Sequence, residues 1–455
     1  MDRPERSRRR STQFSPWGEG LEGRQLLSGS TWPPYVSKAE LFRLLHEPKG
    51  YPAVRPNTPV LPYGTPSRLA TFIDPSARIV NGYAVIVGTI AFVAPYSTLN
   101  AHGGIIKIGA SAILDNAALI ANPTPSRTAP APQVRIGDQV VVGYGARVYG
   151  PSVVGAYGAG ARPTALGPGA VVDRATIEPG SIVSALARVG PGVTLPAGYL
   201  VLPGKNVATN REASDPSLGK VVTVSSGDLA TVSATLASNR ALAQGYNTLY
   251  QGQPTTGVSP GVEPTVSGIF NGNLATIEGA GAQPGSPAAS TPFLPPGRSP
   301  RFPSPRRGLV PADLNNFRAR VTGGVIFESR AGTVAHSLGR SNSIRADAGQ
   351  PITIGSIART GNGVTIHSPA SGQVTIGQDL VVGDNASILG DGRTPAVLGD
   401  GVTIGSGAVV VGSSLGDGVT VGDRAYLLNS SFPAGATIPP GAIYLDNQLA
   451  GFVEW

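Results

Sequence analysis

Aliphatic residues recur at six-residue intervals along much of the chain, and many of them are followed directly by glycine. In the C-terminal half Ile376, Val382 and Ile388 follow this spacing, and in the N-terminal half Ile136 and Val142 do so. An α-helix returns its apolar face about every 3.6 residues and a simple strand about every 2, so neither element alone explains the pattern. The interval instead predicts a short strand and a turn in each group of six residues.

Three such groups per coil would place one aliphatic side chain per strand inside a triangular prism, with coils stacked about 4.8 Å apart. We expect glycine to relieve the backbone where the chain turns each corner. A two-sheet sandwich with glycine-rich turns is the alternative, but its turns recur about every 8–12 residues. The sequence therefore predicts an all-β-dominated chain with two left-handed parallel β-helices of hexapeptide repeats.

Two interruptions of the hexapeptide pattern divide the chain. Apolar residues near three-four spacing, such as Leu229, Val232 and Leu236, predict a helix that flanks the first β-helix. A segment rich in proline, glycine and serine then separates the two repeats. We predict a leader at 1–55 with a short helix at 37–48, β-helix one with its C-terminal helix (228–250) at 56–252, a linker at 253–310, and β-helix two at 311–455. The last residues predict a strand pair that turns at Asp446-Asn447 and caps β-helix two.

The composition agrees with a turn-dense β fold, because 62 glycines and 42 prolines accompany only 14% charged residues. The absence of cysteine excludes disulfides, thiolate metal ligands and cysteine nucleophiles. Much of the net charge of +8 comes from arginines in low-complexity segments without interleaved aromatic residues, so nucleic-acid binding is not expected.

The sequence was searched for membrane spans and for targeting segments. No apolar stretch reaches the roughly 18 residues that a membrane span needs. The basic N-terminus lacks the apolar region of an ordinary signal peptide. The segment LEGRQLLSG resembles a short motif near the start of many large extracytoplasmic proteins of one bacterial group, which favours a bacterial extracytoplasmic or cell-surface location over the cytoplasm.

Several local motifs resemble those of one family of hexapeptide proteins, the γ-class carbonic anhydrases. Phe72-Ile73-Asp74-Pro75-Ser76-Ala77 resembles the entry to that family's first coil. In the second half, the run from Ser343 to Gly355 is the best match, and Gly363-Val364-Thr365-Ile366-His367-Ser368 follows where the family carries its first zinc histidine.

The resemblance implies a trimer that hydrates carbon dioxide on zinc held by three histidines between two subunits. In β-helix two the three ligand positions fall, in order, at His367, Asp384 and Leu389. In β-helix one they fall at Ala121, Tyr144 and Tyr149. A carboxylate can bind zinc and a leucine cannot, so the site implied by the resemblance is degenerate.

The resemblance also implies an intersubunit salt bridge between Arg345 and Asp347 beside the metal. Two arginine nitrogens can bind a carboxylate in a fixed geometry, so such a pair can also hold an interface together without any catalytic role. The chain has four histidines, and we expect His46, His102 and His336 in surface or packing roles.

Three hypotheses of function follow. The first is a trimeric γ-carbonic-anhydrase-like protein that is catalytically impaired or inactive and serves a scaffold or assembly role. The second is an active carbonic anhydrase with a non-standard site, in which His367 and Asp384 bind zinc or iron. The third is a hexapeptide acyltransferase with His367 as general base. In each case we expect a homo-oligomer, and the sequence leaves open whether the two β-helices stack or lie apart.

Overall fold

The structure of the chain is a computed structural model. It describes residues 71–251 except 75, 81–83, 89, 103 and 122–132, the pair 276–277, and residues 319–455 except 324, 329–335, 347–351, 370–371 and 393. The predicted leader with its helix at 37–48, and all of the predicted linker except 276–277, lie outside the described residues. None of the described helices is both long and apolar enough to cross a membrane.

β-helix one consists of three sheets that the chain visits in turn. Sheet 1a contains Phe72–Ile73, Phe92–Val93, Ile113–Leu114, Val140–Val142, Thr164–Leu166, Ile182–Val183, Tyr199–Val201 and the antiparallel Val221–Thr223. Sheet 1b contains Arg78–Val80, Thr98–Asn100, Ala118–Ile120, Arg147–Tyr149, Val171–Asp173, Arg188–Val189 and Asn206–Val207. Sheet 1c contains Val85–Val87, Ile105–Ile108, Gln133–Ile136, Ser152–Val154, Thr176–Ile177, Thr194–Leu195 and, beside Val85–Val87, the pair Thr276–Ile277.

β-helix two repeats this architecture. Sheet 2a contains Ala319–Gly323, Asn342–Ala346, Thr365–His367, Ser387–Leu389, Val409–Val411, Tyr426–Leu428, Ala442–Leu445 and Gln448–Phe452. Sheet 2b contains Val325–Phe327, Ile352–Ile354, Val374–Ile376, Ala396–Leu398, Ser414–Leu415 and Ser431–Phe432. Sheet 2c contains Ile357–Thr360, Leu380–Val382, Thr403–Ile404, Thr420–Val421 and Thr437–Ile438.

The inward side chains of successive coils lie in register. In sheet 2a, Ile366 pairs with Ile388, which pairs with Val410, and all three are fully buried. In sheet 1a, Leu166 pairs in the same way with Val183. Each aliphatic residue of the hexapeptide pattern therefore packs on its equivalent one coil away, and the predicted fold class of two parallel β-helices is confirmed.

The glycine after each aliphatic residue has a further reason besides corner geometry. Gly383 lacks the left-handed backbone that favours glycine, but a Cβ at this position would lie 2.5 Å from the backbone nitrogen of Ser406 in the next coil. Neighbouring coils thus approach too closely for any side chain here. At other corners the left-handed turn is made by a residue with a side chain, as at Leu186, whose φ is 55°.

Two α-helices lie near the end of β-helix one: α1 (Asn210–Ser214) precedes the strand Val221–Thr223, and α2 (Ser226–Gln251) follows it. Single 3-10 turns lie at Gly158–Gly160, within β-helix one, and at Pro216–Leu218. Where the spacing predicts a helix at 228–250, α2 begins two residues earlier and ends one later. Ser225 and Asp228 fix its start, because the Ser225 hydroxyl accepts from the Asp228 amide (3.1 Å) and the Asp228 carboxylate accepts from the Ser225 amide (2.8 Å).

α2 covers the outer face of sheet 1a with an apolar contact. Its residues Val232, Leu236 and Leu242 join Phe72 and Phe92 of sheet 1a in one buried cluster. The two phenylalanine rings stack at 5.9 Å. This contact explains how Phe72 and Phe92 are buried although they point outward from sheet 1a.

The two β-helices belong to one compact unit, Pro48–Trp455, and lie side by side with their coils in matching order. Contacts begin at the first coils with Asp74 and Arg320 and end at the last coils with Gly204 and Glu454. The final strands Ala442–Leu445 and Gln448–Phe452 form the predicted hairpin, with φ of 49° and 69° at Asp446 and Asn447. Beyond the hairpin the chain crosses onto β-helix one, where the Glu454 amide donates to Gly204 O at 2.9 Å.

Candidate functional site between the two beta-helices

The boundary between the β-helices joins a sheet face to a row of corners. β-helix two presents the outer face of sheet 2a, on which Arg345, His367 and Leu389 lie in one register column. β-helix one presents the corners that follow the strands of sheet 1a. Three of the residues that the sequence singles out, Arg345, His367 and Leu389, therefore lie on the face that meets β-helix one.

His367 meets Tyr144 across this boundary. The Tyr144 hydroxyl lies 2.5 Å from His367 Nδ1, and the ring centroids are 5.7 Å apart. His367 is buried, with 2% of its surface exposed. Tyr144 reaches it from the corner after Val140–Val142, which turns through Gly145 at a φ of 65°. A position of each β-helix that the resemblance assigns to a zinc ligand thus engages in a hydrogen bond with the other.

Arg345 forms a buried ion pair with Asp115 of β-helix one. Its Nη2 lies 3.2 Å from Asp115 Oδ1, and the two side chains are 1% and 3% exposed. The guanidinium also lies 5.8 Å from the centroid of the Phe92 ring. Asp347, which the resemblance pairs with Arg345, lies outside the described residues.

A second buried ion pair lies one coil earlier on β-helix two and two coils earlier on β-helix one. Arg320 donates through Nη2 and Nε to Asp74 Oδ2, at 3.0 and 3.2 Å, and both side chains are inaccessible to solvent. Tyr96 is a half-buried residue beside the same pair. Desolvation raises the pKa of its hydroxyl, Arg320 opposing and Asp74 reinforcing that shift. The sequence did not indicate either acidic partner, since Asp74 and Asp115 are single residues after a strand and follow no period.

The far end of the boundary is apolar. Leu186 and Ala185 of β-helix one pack with Val409, Tyr426 and Ile443 of β-helix two in one buried cluster. Burial raises the pKa of the Tyr426 hydroxyl, and the carboxylates of Asp391 and Asp446 add to the shift.

At the rim of this apolar end the last residues of the chain make polar contacts with β-helix one. Trp455 Nε1 donates to Leu186 O at 2.7 Å. Lys205 Nζ lies 2.9 Å from Glu454 Oε1. Buried charge at one end and apolar contact at the other therefore fix the β-helices together along their length.

Asp384, the second candidate metal ligand, is exposed at a corner of β-helix two. Its Oδ1 accepts from the amide of Asn362 in the preceding coil, at 2.7 Å. The same contact recurs two coils later, where Asp423 Oδ1 accepts from the amide of Ser406 at 2.7 Å. Asp384 thus shares a repeated role in joining successive coils.

A three-ligand zinc site does not fit the residues present. The register neighbours of His367 on sheet 2a are Arg345 and Leu389, which are not metal ligands. Within the described ranges no three histidine, cysteine, aspartate or glutamate side chains cluster closely enough to hold a metal ion. Neither His102 nor His336 contributes, because both are exposed, and His46 lies outside the described residues.

The Tyr144–His367 contact gives a measurable expectation. Replacing Tyr144 with phenylalanine leaves a nitrogen of a buried imidazole without its hydroxyl partner, which should lower the free energy of unfolding by about 1–3 kcal/mol. The matched control is Tyr149→Phe, since Tyr149 occupies the other tyrosine position of β-helix one and is half-exposed. Urea unfolding followed by circular dichroism measures both, and equal losses for the two variants would contradict the assignment.

The chain was compared with protein families, curated proteins and solved structures. No protein-family model matches the sequence, and no curated protein does. Among solved structures, a hexapeptide transferase family protein from Anaplasma phagocytophilum is 19% identical, with 38% of this chain and 92% of that chain covered and a TM-score of 0.28. A putative acetyltransferase from Bacillus cereus is 17% identical, with 38% and 90% covered and a TM-score of 0.20.

A variant of perosamine N-acetyltransferase from Caulobacter crescentus, in complex with CoA and GDP-perosamine, is 19% identical, with 29% of this chain and 53% of that chain covered and a TM-score of 0.13. At these identities a likeness concerns the fold alone. The sheets and registers described above carry the assignment: the chain is a hexapeptide-repeat protein with two parallel β-helices.

Proposed function

We propose that this chain is a catalytically inactive scaffold of the γ-carbonic-anhydrase type, in which the metal site between β-helices is replaced by a structural contact. The observation that carries the proposal is the Tyr144 hydroxyl at 2.5 Å from His367 Nδ1, with His367 2% exposed. A metal-bound water needs an open coordination position and access for substrate. A buried imidazole that already has a hydroxyl partner supplies neither.

The positions involved support the choice of family. The resemblance assigns His367 to the first ligand and Tyr144 to the second, and these two side chains are in contact across the boundary. Leu389, at the third ligand position, pairs in register with His367. His367, Tyr144 and Leu389 thus occupy the positions where the resemblance expects three histidines. Tyr144 and Leu389 carry no imidazole to bind a metal.

The asymmetry of the boundary supports an oligomer. β-helix one uses its corners and β-helix two uses a sheet face, so the contact is heterologous. We propose that further copies complete a closed ring, a trimer in the simplest case. Mass photometry of the full chain measures this directly.

The two enzymatic alternatives need side chains that already make structural contacts or are buried. An active metal site would require the Tyr144 contact to open and Asp384 to leave the Asn362 amide. An acyltransferase would require His367 to accept a proton from a substrate hydroxyl or amine, although only 2% of the residue is exposed.

Stopped-flow hydration of carbon dioxide by the full chain tests the proposal. We expect no rate above the buffer background, and no change after incubation with zinc or iron(II). A hydration rate that depends on added metal and disappears in His367→Ala would overturn it in favour of the enzyme. Calorimetric binding of acetyl-coenzyme A, lost in the same variant, would favour the acyltransferase.

A further inference from the structure

A cleft of about 350 Å³ opens between the β-helices, beside the Tyr144–His367 contact. β-helix one contributes Tyr144, Arg147 and Leu186 to its wall, and β-helix two contributes Arg424 and Trp455 among others. This volume is at the lower end of the range for small-molecule sites, which is about 300–1,000 Å³. His367 and Leu389 do not line the cleft, whereas Tyr144 does, so the cleft adjoins the replaced metal position without including His367.

Two arginines, one from each β-helix, face this cleft. Arg424 is held by the ring of Trp455, with the guanidinium carbon 4.3 Å from the ring centroid. Its Nη2 is buried and has no hydrogen-bond partner among the described residues. Burial also lowers the pKa of Arg424, because the charged form is partly desolvated. A buried guanidinium nitrogen without an acceptor costs free energy that an anionic ligand would recover.

Arg147 supplies the second cation. It extends from sheet 1b as an exposed side chain lining the cleft, and the described residues offer it no ion pair. Its register neighbour one coil later, Val171, is apolar and also lines the cleft. Among the described residues, no carboxylate of β-helix one lies in the cleft wall.

The one side-chain carboxylate in the described wall is that of Asp384 of β-helix two. Its Oδ1 already accepts from the Asn362 amide at 2.7 Å, which ties it to its own coil. Hydroxyl donors complete the wall, namely Ser387, which is buried, and Ser406. Among its side chains, the described wall therefore carries two guanidinium groups, one carboxylate and neutral hydroxyl donors.

We infer that this cleft binds a small oxyanion, a carboxylate or a phosphate, between Arg424 of β-helix two and Arg147 of β-helix one. Guanidinium groups match both anions with parallel hydrogen bonds, and Trp455 keeps the Arg424 fork in place. Because the ligand would contact both β-helices, its binding would stabilise their association. The cleft adds a ligand site to a boundary that otherwise only joins the two repeats.

Isothermal titration of the full chain with inorganic phosphate, and separately with succinate, tests the inference. We expect saturable binding of at least one of the two probes at one site per chain. Arg424→Gln and Arg147→Gln should each weaken it by about tenfold or more, since each removes a charged donor pair. The arm that binds more tightly identifies the chemistry of the anion.

Arg135→Gln is the matched control, because Arg135 is an exposed arginine of sheet 1c whose Nε donates to Gln133 Oε1 at 2.8 Å. The Arg135→Gln variant should bind phosphate or succinate with the same affinity as the unaltered chain. Arg147 is exposed, so its variant remains informative if Arg424→Gln fails to fold. Absence of saturable binding with both probes overturns the inference, as does an equal loss in Arg135→Gln and Arg147→Gln, which would indicate general charge attraction.

Discussion

Replacing Arg320 with leucine should lower the free energy of unfolding by about 3–5 kcal/mol. The change removes the cation that the described residues place against the Asp74 carboxylate, whose side chain is 1% exposed. Tyr96 lies beside the same pair and cannot supply a positive charge. The shift of the urea unfolding midpoint measures the loss, which should be among the largest for any single substitution in the chain.

A double-mutant cycle separates the ion pair from its surroundings. Arg320→Leu combined with Asp74→Ala should recover much of the loss, because both charges are then removed from the low-dielectric boundary. The comparison pair is Arg188 and Asp173, whose side chains are 32% and 16% exposed, so Arg188→Leu should cost no more than about 1 kcal/mol. Equal losses for Arg320→Leu and Arg188→Leu would show that the Arg320 pair is not buried between the β-helices.

Substituting Gly204 with alanine should separate the ends of the two β-helices. A Cβ there would lie 2.4 Å from Ile443 Cδ1 and 3.1 Å from the backbone Cα of Val453, so the last strand must move. The left-handed backbone, with φ of 69°, adds about 1–2 kcal/mol of strain, and overpacking adds roughly 1–3 kcal/mol more. Hydrogen exchange at residues 442–455 should therefore accelerate.

Gly198→Ala isolates the steric part of this effect. Gly198 has a φ of 78° and nothing within 4 Å of an added Cβ, so the variant carries the backbone strain alone. Its residues 442–455 should exchange as slowly as those of the unaltered chain. Faster exchange in both variants would mean that strain in β-helix one, and not contact with β-helix two, controls the last strand.

The sequence predicts the two β-helices well because one physical requirement recurs in every coil. Each inward position must be aliphatic to pack on its equivalent one coil away, as Ile366, Ile388 and Val410 do. The period is therefore written into consecutive residues. The helix α2 is predictable for a similar reason, since its apolar residues repeat along one face.

The pairing of the β-helices could not be predicted in the same way. Tyr144 and His367 are separated by 223 residues, and neither lies in a pattern that indicates the other. The resemblance marks both as ligand positions without indicating that they touch within one chain. The resemblance singles out Arg345 and leaves Arg320 unmarked, and their partners Asp115 and Asp74 depend on the side-by-side arrangement.

The role of Asp384 shows the limit of reading single residues. In sequence it follows Val382-Gly383 at a position where the resemblance expects a ligand. In the structure it repeats a corner contact that Asp423 also makes, with each carboxylate accepting an amide of the previous coil. The repeated corner contact therefore accounts for Asp384 without a role as a metal ligand.

Zinc content measured by mass spectrometry tests the central claim most directly. The purified full chain should hold well under one zinc per chain after dialysis against zinc, because Tyr144 and Leu389 occupy two of the three positions that the resemblance assigns to zinc ligands, His367 being the third. The variant Tyr144→His with Leu389→His places three imidazoles at those positions and should hold one zinc per chain. Stoichiometric zinc in the unaltered chain, or no gain of zinc in a folded double variant, would contradict the account.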